Sequence, residues 1–162
     1  MSLVVVHRVA PDEWQTFREI RLAALADAPD AYLTTLAEAQ AQPAALWQDR
    51  IVANPHFLAK VDGVTVGMTV VIAADNGREI VAVWVAPDAR GRGVIEALID
   101  AAVSWARDQG DAQLGLWVVE GNERAERAYA RYGLTRTGRT QPVPGRPDEM
   151  EVEMTYALTR PS

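Results

Sequence analysis

The sequence predicts one α/β domain over residues 1–162, with a central mixed β-sheet flanked by about four helices. The length of 162 residues suits a single domain. The composition, with 49% hydrophobic and 23% charged residues, is ordinary for a globular protein. Strand-like and helix-like segments follow the order β-α-α-β-β-β-α-β-α-β-β, which is typical of helices packed on a mixed sheet.

Turn residues and hydrophobic periodicity place the elements of the first third of the chain. Residues 3–9 form a β-branched run, which predicts a strand. Asp12 is expected to cap a first helix, in which apolar residues recur at helical spacing as far as residues 27–29. Residues 31–42 have weak periodicity, and a second helix is expected over residues 43–53.

Two hairpins are expected in the middle of the chain. Asp62-Gly63 joins the strand-like residues 57–61 and 64–73, and Asn76-Gly77 leads into the next strand, residues 79–86. The core of that last strand is apolar on both of its alternating faces. Such a pattern predicts a central strand that is covered on both sides.

Helices and strands alternate in the second half of the chain. The elements expected there are strands over residues 114–119, 134–139 and 151–158 and helices over residues 94–109 and 122–132. Gly110 and Gly133 follow the two helices directly and are expected to end them. Residues 140–148 contain three prolines and are expected to form a loop.

Several classes of enzyme are excluded by residues that the sequence lacks. The chain has no cysteine, which excludes disulfides, thiolate metal sites and a covalent cysteine intermediate. His7 and His56 are too few for a histidine-rich metal site. Carboxylate ligands are the alternative, and no metal site is expected. No serine lies in a G-x-S-x-G elbow, which excludes a serine hydrolase of that type. Lys60, the single lysine, is not part of a P-loop, which excludes a P-loop nucleotidase.

The charge balance and hydropathy bear on partners and location. The net charge of −6 argues against a protein held to nucleic acid by its overall field. No apolar run approaches the length of a membrane span, and the first residues lack the pattern of a signal peptide. We therefore expect a soluble, cytoplasmic protein with no nucleic-acid or membrane partner, in which residues 1–3 fit an expression leader.

The strongest functional signal is a strand–loop–helix unit over residues 79–109. Its loop reads Arg90-Gly91-Arg92-Gly93, in which two glycines let the backbone turn with its amides free. The positive end of the following helix points at this loop, and the two arginines add charge, so the unit suits a diphosphate. The alternative is a plain glycine-rich connection with solvated arginines. A dinucleotide fingerprint would need a third glycine, and Glu96 stands there instead.

Two motifs in this region resemble those of the GNAT superfamily of N-acetyltransferases. The first is V-A-V-W-V-A-P-D-A-R-G-R-G-V-I-E-A-L-I over residues 81–99, and the second is N-E-R-A-E-R-A-Y-A-R-Y-G-L over residues 122–134. A strand separates them, as it does in the family. The resemblance implies a GNAT-like acyl-CoA N-acyltransferase fold, with acetyl-CoA as the cosubstrate.

The resemblance also implies where acetyl-CoA binds. The family binds the pantetheine arm along the strand before the loop, here Val83, Trp84 and Val85, where it splays from a parallel strand. It binds the pyrophosphate on the loop and the helix start, here Arg90, Gly91, Arg92, Gly93, Val94 and Ile95. Asn122 is expected to cap its helix and, in relatives, this position also lies near the cofactor arm. Plain core strands and a solvated loop are the alternative for these residues.

One position departs from the family pattern. Ile95 stands where the family places Gly or Ala, so that the helix start can come close to the phosphates. A branched side chain there is expected to weaken or slightly displace cofactor binding. The alternative is that Ile95 joins the apolar stripe of its helix.

Tyr129 matches the family tyrosine that gives a proton to the departing CoA thiolate. A phenol with a pKa near 10 is suited to this task, because the thiolate accepts a proton near a pKa of 8–9. Tyr129 also lies on the apolar face of its helix, so core packing is the alternative. Tyr132, one turn later, is the better candidate for core packing.

A primary amine acceptor arrives protonated and needs a base. Relatives often use a glutamate on the strand before the loop, which points to Glu79. Glu120, at the end of the next strand, and Glu38, between the first two helices, are the other candidates. An ordinary solvated carboxylate is the alternative for each of them.

These observations together predict an N-acetyltransferase that acts by direct attack of a primary amine on acetyl-CoA in a ternary complex. The acceptor is expected to be a small molecule or a peptide or protein amine, and the family suggests a homodimer. A non-catalytic acyl-CoA-binding domain is the alternative, which Ile95 favours and Tyr129 opposes. A dinucleotide-binding domain is a third, weaker interpretation.

Overall fold

The structure is a computed structural model that describes residues 3–75 and 77–158. The strands within these residues are β1 (Val4–Arg8), β2 (His56–Val61), β3 (Val64–Ala74), β4 (Gly77–Val85), β5 (Gln113–Val119), β6 (Thr135–Val143) and β7 (Arg146–Ala157). The α-helices are α1 (Trp14–Asp27), α2 (Leu36–Ala41), α3 (Ala44–Ala53), α4 (Val94–Asp108) and α5 (Glu123–Tyr132). The predicted α/β class is therefore confirmed.

The strands lie in the order β1-β2-β3-β4-β5-β7-β6. β4 and β5 pair in parallel, whereas β1 with β2, β2 with β3, β5 with β7, and β6 with β7 pair antiparallel. The sheet is thus mixed, as predicted. The apolar strand β4 occupies the middle of the order, which explains why both of its faces carry apolar side chains.

Two compact units divide the chain, and neither is a single stretch of it. Unit 1 comprises Met1–Val70 and Ala82–Leu98, and unit 2 comprises Val71–Val81 and Ile99–Ser162. The boundary in β4 falls at Ala82, which has a left-handed backbone with φ of 56°. A non-glycine residue rarely adopts this conformation, so β4 is locally strained at that point.

The predicted turns and helix ends are largely confirmed. Asp62 and Gly63 have φ of 52° and 79°, and they close the hairpin between β2 and β3. Gly110 and Gly133 are left-handed and end α4 and α5, as expected of glycine after a helix. Asn76 of the second expected hairpin lies outside the described residues, as do Met1 and Ser2.

Two local expectations were wrong, and one segment for which no element was predicted contains a helix. Asp12 does not cap α1; it lies in a 3₁₀ turn, and the Glu13 carboxylate accepts a hydrogen bond from the Ala10 amide at 2.9 Å. The segment over residues 31–42 contains the short helix α2, because Thr35 caps it by accepting from the Glu38 amide. Residues 140–148 form a strand hairpin, and the outermost strand β6 accommodates proline because its edge needs no ladder donor.

Within residues 3–75 and 77–158, each helix is too short or too polar to cross a bilayer.

Candidate functional site

An exposed loop connects β4 to α4 in unit 1. After β4 the chain makes a 3₁₀ turn over Pro87–Ala89, and the four residues that follow are exposed as far as the start of α4 at Val94. Gly91 and Gly93 have φ of 79° and 80°, a conformation that strongly favours glycine. A methyl group placed on Gly91 would meet no atom within 4 Å, so the backbone is open to a ligand.

Arg90 holds this loop to the rest of unit 1. Its Nη2 donates to Asp27 Oδ2 at 2.9 Å, and its Nε donates to the Val85 carbonyl at 3.1 Å. The same Asp27 oxygen accepts from Trp84 Nε1 at 3.0 Å. The buried Trp84 and the loop arginine therefore share one carboxylate at the end of α1.

The charge of Asp27 is stabilised by these two donors. The Trp84 indole and the Arg90 guanidinium hold the pKa of Asp27 below its usual range. The carboxylate is therefore ionised at neutral pH, and the charge of Arg90 is largely matched by it. Arg92, which is exposed, is the other positive charge of the loop.

The groups of this loop that suit a diphosphate are its backbone amides more than the Arg90 side chain, which already donates to Val85 and Asp27. Gly91 and Gly93 bend the chain so that amides are available, and the positive end of the 15-residue helix α4 adds to them. Val94 is buried and Ile95 is half-buried in the first turn of α4. The predicted anion-binding residues of the loop therefore lie together, with Arg90 positioning the loop.

Gly67 on β3 packs closely against the beginning of α4. A methyl group on Gly67 would lie 3.0 Å from Val94 Cγ1, 3.1 Å from the Trp84 carbonyl oxygen and 3.2 Å from Leu98 Cδ1. These distances are shorter than ordinary carbon contacts, and one of the atoms belongs to the backbone. A side chain at residue 67 would therefore require the Trp84 backbone or the first two turns of α4 to shift by a few tenths of an ångström.

Gly67→Ala is expected to lower the free energy of unfolding by about 1–3 kcal/mol and to weaken ligand binding at the loop, because overpacking displaces α4. Urea denaturation measures the first effect. Gly115→Ala is the matched control, since a methyl group there would meet Thr155 Cγ2 at an ordinary 3.5 Å. Equal stability of the two variants would contradict the proposed close packing of Gly67 against α4.

In unit 2, carboxylates gather on one face of the sheet. Glu79 on β4 lies beside Gly115 on β5, and Trp117 two residues later lies on the same face. Glu153 pairs with Trp117, and Glu151 lies two residues before it on β7. The register therefore brings three carboxylates and one indole together.

Burial raises the pKa of Glu79, and the charges of Glu151 and Glu153 raise it further. A hydrogen bond with the Trp117 side chain acts in the opposite direction and favours the ionised form. Gln141 Nε2 donates to Glu151 Oε1 at 2.7 Å, and Thr137 Oγ1 donates to Glu153 Oε1 at 2.8 Å. Glu79 is therefore a stronger base than a solvated glutamate and is half-buried.

Two tyrosines of α5 differ in their surroundings. Tyr129 is buried, with 7% of its surface exposed, whereas Tyr132 is half-buried, which reverses the expected order of burial. The Tyr132 hydroxyl donates to Asp100 Oδ1 at 2.9 Å, and burial together with this carboxylate raises the pKa of Tyr132. Asn122 caps α5 by accepting from the Ala125 amide at 3.3 Å, as predicted.

The other candidate residues differ in exposure. Glu120 and Glu38 are both exposed, Glu120 just after β5 and Glu38 in the first turn of α2. Val83 is half-buried and Val85 is buried. Over residues 3–75 and 77–158, no group of three or more histidine, aspartate or glutamate side chains is placed to hold a metal ion.

The candidate residues divide between the two units. Unit 1 holds the loop and its strand, and unit 2 holds Glu79, Glu120, Asn122 and Tyr129. Sequence reasoning missed Asp27, which it treated only as a helix end, because its two partners come from far along the chain. It also missed Glu151 and Glu153, which were visible only as alternating charges in the last strand.

Comparison with known proteins gives one family and many similar folds. Residues 14–134 match the model of the Acetyltransferase (GNAT) family, and no curated protein matches the chain. The structure of yncA from Salmonella typhimurium, solved with its cofactor acetyl-CoA, is 18% identical, with a TM-score of 0.76 over 99% of this chain and 97% of that one.

Two further structures extend this comparison. An N-acetyltransferase from Staphylococcus aureus Mu50 is 16% identical, with a TM-score of 0.74 over 98% of this chain and 100% of that one. Nourseothricin acetyltransferase is 30% identical, with a TM-score of 0.60 over 66% of each chain. The first two similarities establish the fold, and the third adds a higher identity over part of the chain.

Proposed function

The chain belongs to the GNAT family of acetyltransferases, whose cosubstrate is acetyl-CoA, and from this premise we propose that it acetylates a primary amine by direct attack in a ternary complex. The observation that carries the proposal is the exposed Arg90–Gly93 loop in front of α4, with its left-handed glycines. The resemblance inferred from the two sequence motifs is confirmed by the family match.

Acetyl-CoA supplies an activated acetyl group on a thioester and a diphosphate by which it is held. The backbone amides of Gly91 and Gly93 and the first turn of α4 bind that diphosphate. Arg92 adds a positive charge, and Arg90 keeps the loop in place through Asp27. Val83, Trp84 and Val85 hold the pantetheine arm by backbone pairing. The pairing of β4 with β5 lies before them, at Arg78 and Glu79, and a strand-like ligand can pair with backbone that has no neighbouring strand.

Glu79 acts as the general base. The Glu79 carboxylate takes one proton from the ammonium form of the acceptor. The neutral nitrogen then forms a bond to the acetyl carbon while the carbon–sulfur bond breaks, and the second proton that the nitrogen loses passes to solvent. The raised pKa of Glu79 supports this role, because a base works best when its pKa approaches the working pH. Glu120 is the alternative base, and its exposed position gives it less help from its surroundings.

Tyr129 acts as the general acid. Its hydroxyl gives a proton to the leaving thiolate sulfur and is later reprotonated from solvent, so that protons balance over one cycle. The family motif supports Tyr129 over Tyr132, and the hydrogen bond from Tyr132 to Asp100 commits that second hydroxyl elsewhere.

A small-molecule amine is the favoured acceptor. The 30% identity to nourseothricin acetyltransferase, over 66% of this chain, supports a small molecule over a protein amine. A peptide amine, a cytoplasmic location and a homodimer stay predictions from the sequence.

The test of this function is thermal unfolding with acetyl-CoA, CoA and NAD in parallel, followed by an amine screen for CoA release. A ligand that binds only the folded state stabilises it by about 2.7 kcal/mol at a hundredfold excess over its dissociation constant. We expect acetyl-CoA and CoA, but not NAD, to raise the midpoint.

Other outcomes would contradict the proposal in different ways. An unchanged midpoint with acetyl-CoA, in a cooperative transition, would mean that Ile95 impairs the site or that another acyl group is required, and acetyl transfer would lose its main support. A shift with NAD alone would favour a dinucleotide-binding domain. Binding of acetyl-CoA without CoA release from any amine would favour a non-catalytic domain.

A further inference from the structure

The proposed base Glu79 lies near an indole on the same face of unit 2. β4 pairs with β5 so that Glu79 is beside Gly115, which has no side chain. Trp117, two residues later on β5, projects from the same face, and its side chain is hydrogen-bonded to Glu79. The polar atom of an indole is an N–H that can only donate, so the Glu79 carboxylate is the acceptor. The hydrogen bond therefore fixes the position of the carboxylate and favours its ionised form.

Trp117 is itself held by a cation from β6. The Arg139 guanidinium lies over the Trp117 ring with Cζ 5.6 Å from the centroid, which is within the range of a cation–π contact. The same guanidinium pairs with Glu153, Nη1 to Oε2 at 3.1 Å, and Glu153 is opposite Trp117 in the register of β5 and β7. One arginine therefore contacts the face of the ring and matches a neighbouring negative charge at the same time.

The other charges that act on Glu79 come from β7. The charges of Glu151 and Glu153 both raise the pKa of Glu79. Glu151 accepts from the uncharged amide of Gln141 at 2.7 Å, whereas Glu153 is matched by the full charge of Arg139. Without the indole donor or the arginine, Glu79 would therefore be protonated over a wider range of pH.

A second indole of unit 2 offers a comparison. Arg78, the neighbour of Glu79 on β4, projects from the opposite face because successive side chains alternate. Its Cζ lies 4.7 Å from the centroid of the Trp105 ring on α4. Trp105 and Trp117 are thus both half-buried and both covered by an arginine, but Trp117 alone of the two is hydrogen-bonded to Glu79.

We propose that Trp117 is a positioning residue for the general base: its indole N–H, with the ring held by Arg139, keeps the Glu79 carboxylate in place as a proton acceptor. This inference rests on the proposed acetyl transfer and adds to it the residues that prepare the base. Trp117 takes no proton itself, and its effect on the rate passes through Glu79.

The first experiment measures kcat/KM against pH for Trp117→Phe, with CoA release as the readout. Phenylalanine keeps an aromatic ring but cannot donate, so the acid limb of the profile should move about one pH unit higher. On that limb kcat/KM should fall about tenfold. Above it, kcat/KM and the KM for acetyl-CoA should change less than about threefold. An acid limb at the wild-type pH would overturn the proposal.

Trp105→Phe is the matched control, since it removes the N–H of the other arginine-covered indole. This variant should leave the acid limb in place. An equal displacement in Trp105→Phe and Trp117→Phe would show that loss of either indole moves the profile, and it would reject the specific role of Trp117.

Arg139→Met tests the network at an exposed side chain, so it decides the proposal even if Trp117→Phe does not fold. The acid limb should again move to higher pH, by a smaller amount, because an unmatched Glu153 charge disfavours ionisation of Glu79. Arg127→Met removes the same charge from an exposed pair with Glu123 on α5 and should leave the limb in place. An unmoved limb in Arg139→Met, or an equal displacement in Arg127→Met, would overturn the role given to Arg139.

A second experiment needs no acceptor and no catalysis. The Glu79 carboxyl is titrated by ¹³C NMR, and its signal is identified by its loss in Glu79→Gln. The pKa of Glu79 should be about one unit higher in Trp117→Phe than in the wild type and unchanged in Trp105→Phe. A higher pKa without acetylation of any amine would retain the positioning by Trp117 and reject the proposed function. Acetylation with the same pKa in Trp117→Phe and the wild type would retain the function and reject the positioning.

Discussion

Tyr129→Phe is expected to lower kcat about a hundredfold or more while the KM for acetyl-CoA changes less than about threefold. The substitution removes one hydroxyl and keeps the ring, so the packing of the buried side chain is preserved. Loss of a positioned general acid typically costs 10²–10⁴ in rate, on the order of the effect predicted here. Steady-state kinetics with CoA release as the readout separates the two parameters.

Tyr132→Phe is the control for this prediction. It removes a hydroxyl one helical turn away and breaks the hydrogen bond to Asp100, yet it should leave kcat within about twofold. Turnover of Tyr129→Phe equal to the wild type would remove Tyr129 from the mechanism. A large loss in Tyr132→Phe alone would transfer the role to that residue.

Glu79→Gln is expected to lower kcat/KM about a hundredfold at pH 7 and to move the pH–rate profile towards higher pH. In the wild type, activity falls on the acid side as the Glu79 carboxylate is protonated, and its raised pKa places that limb above the usual range for glutamate. Without the carboxylate, the acceptor must reach the site already neutral. A pH series of kcat/KM for both proteins measures the displacement.

Glu120→Gln is the matched control because Glu120 is the other candidate base and is exposed. It should leave the profile in place. An unaltered profile in Glu79→Gln would exclude Glu79, and a displaced profile in Glu120→Gln would assign the base to Glu120.

The same pKa shift predicts an effect of Glu79 on stability. A carboxyl whose pKa is raised by folding is most stabilising when protonated, so its contribution declines as the pH rises through the interval between the unfolded and folded values. Glu79→Gln should therefore unfold at a higher temperature than the wild type at pH 7, and the difference in unfolding temperature should shrink as the pH falls through the same interval. The loss of activity would then accompany a gain of stability, which a structural role for Glu79 would not produce.

Much of the fold could be predicted because the signals are local. Apolar alternation identified the central strand β4, and glycines after helices marked the ends of α4 and α5. The loop glycines were informative for the same reason, since a left-handed backbone leaves a direct trace in residue type.

The rest depends on which distant residues meet, and a single sequence carries little trace of that. Asp27 and Arg90 are 63 positions apart, and nothing around Asp27 indicates that it receives two donors. The gathering of Glu79, Glu151 and Glu153 depends on strand order and register, which alternation alone does not fix. The hairpin of β6 and β7 was hidden because its prolines are ordinarily signs of a loop.

The interleaving of the two units has a consequence for biosynthesis. Asp27 emerges from the ribosome early, but both of its partners belong to the second segment of unit 1, Ala82–Leu98. At about 5–20 residues per second, that segment follows Val70 by a few seconds. During that interval, the first segment of unit 1 lacks the part of β4 and the loop that complete the unit. Folding of unit 1 during translation is therefore expected to begin with β1, β2 and β3 and to finish late, when the loop after β4 reaches Asp27.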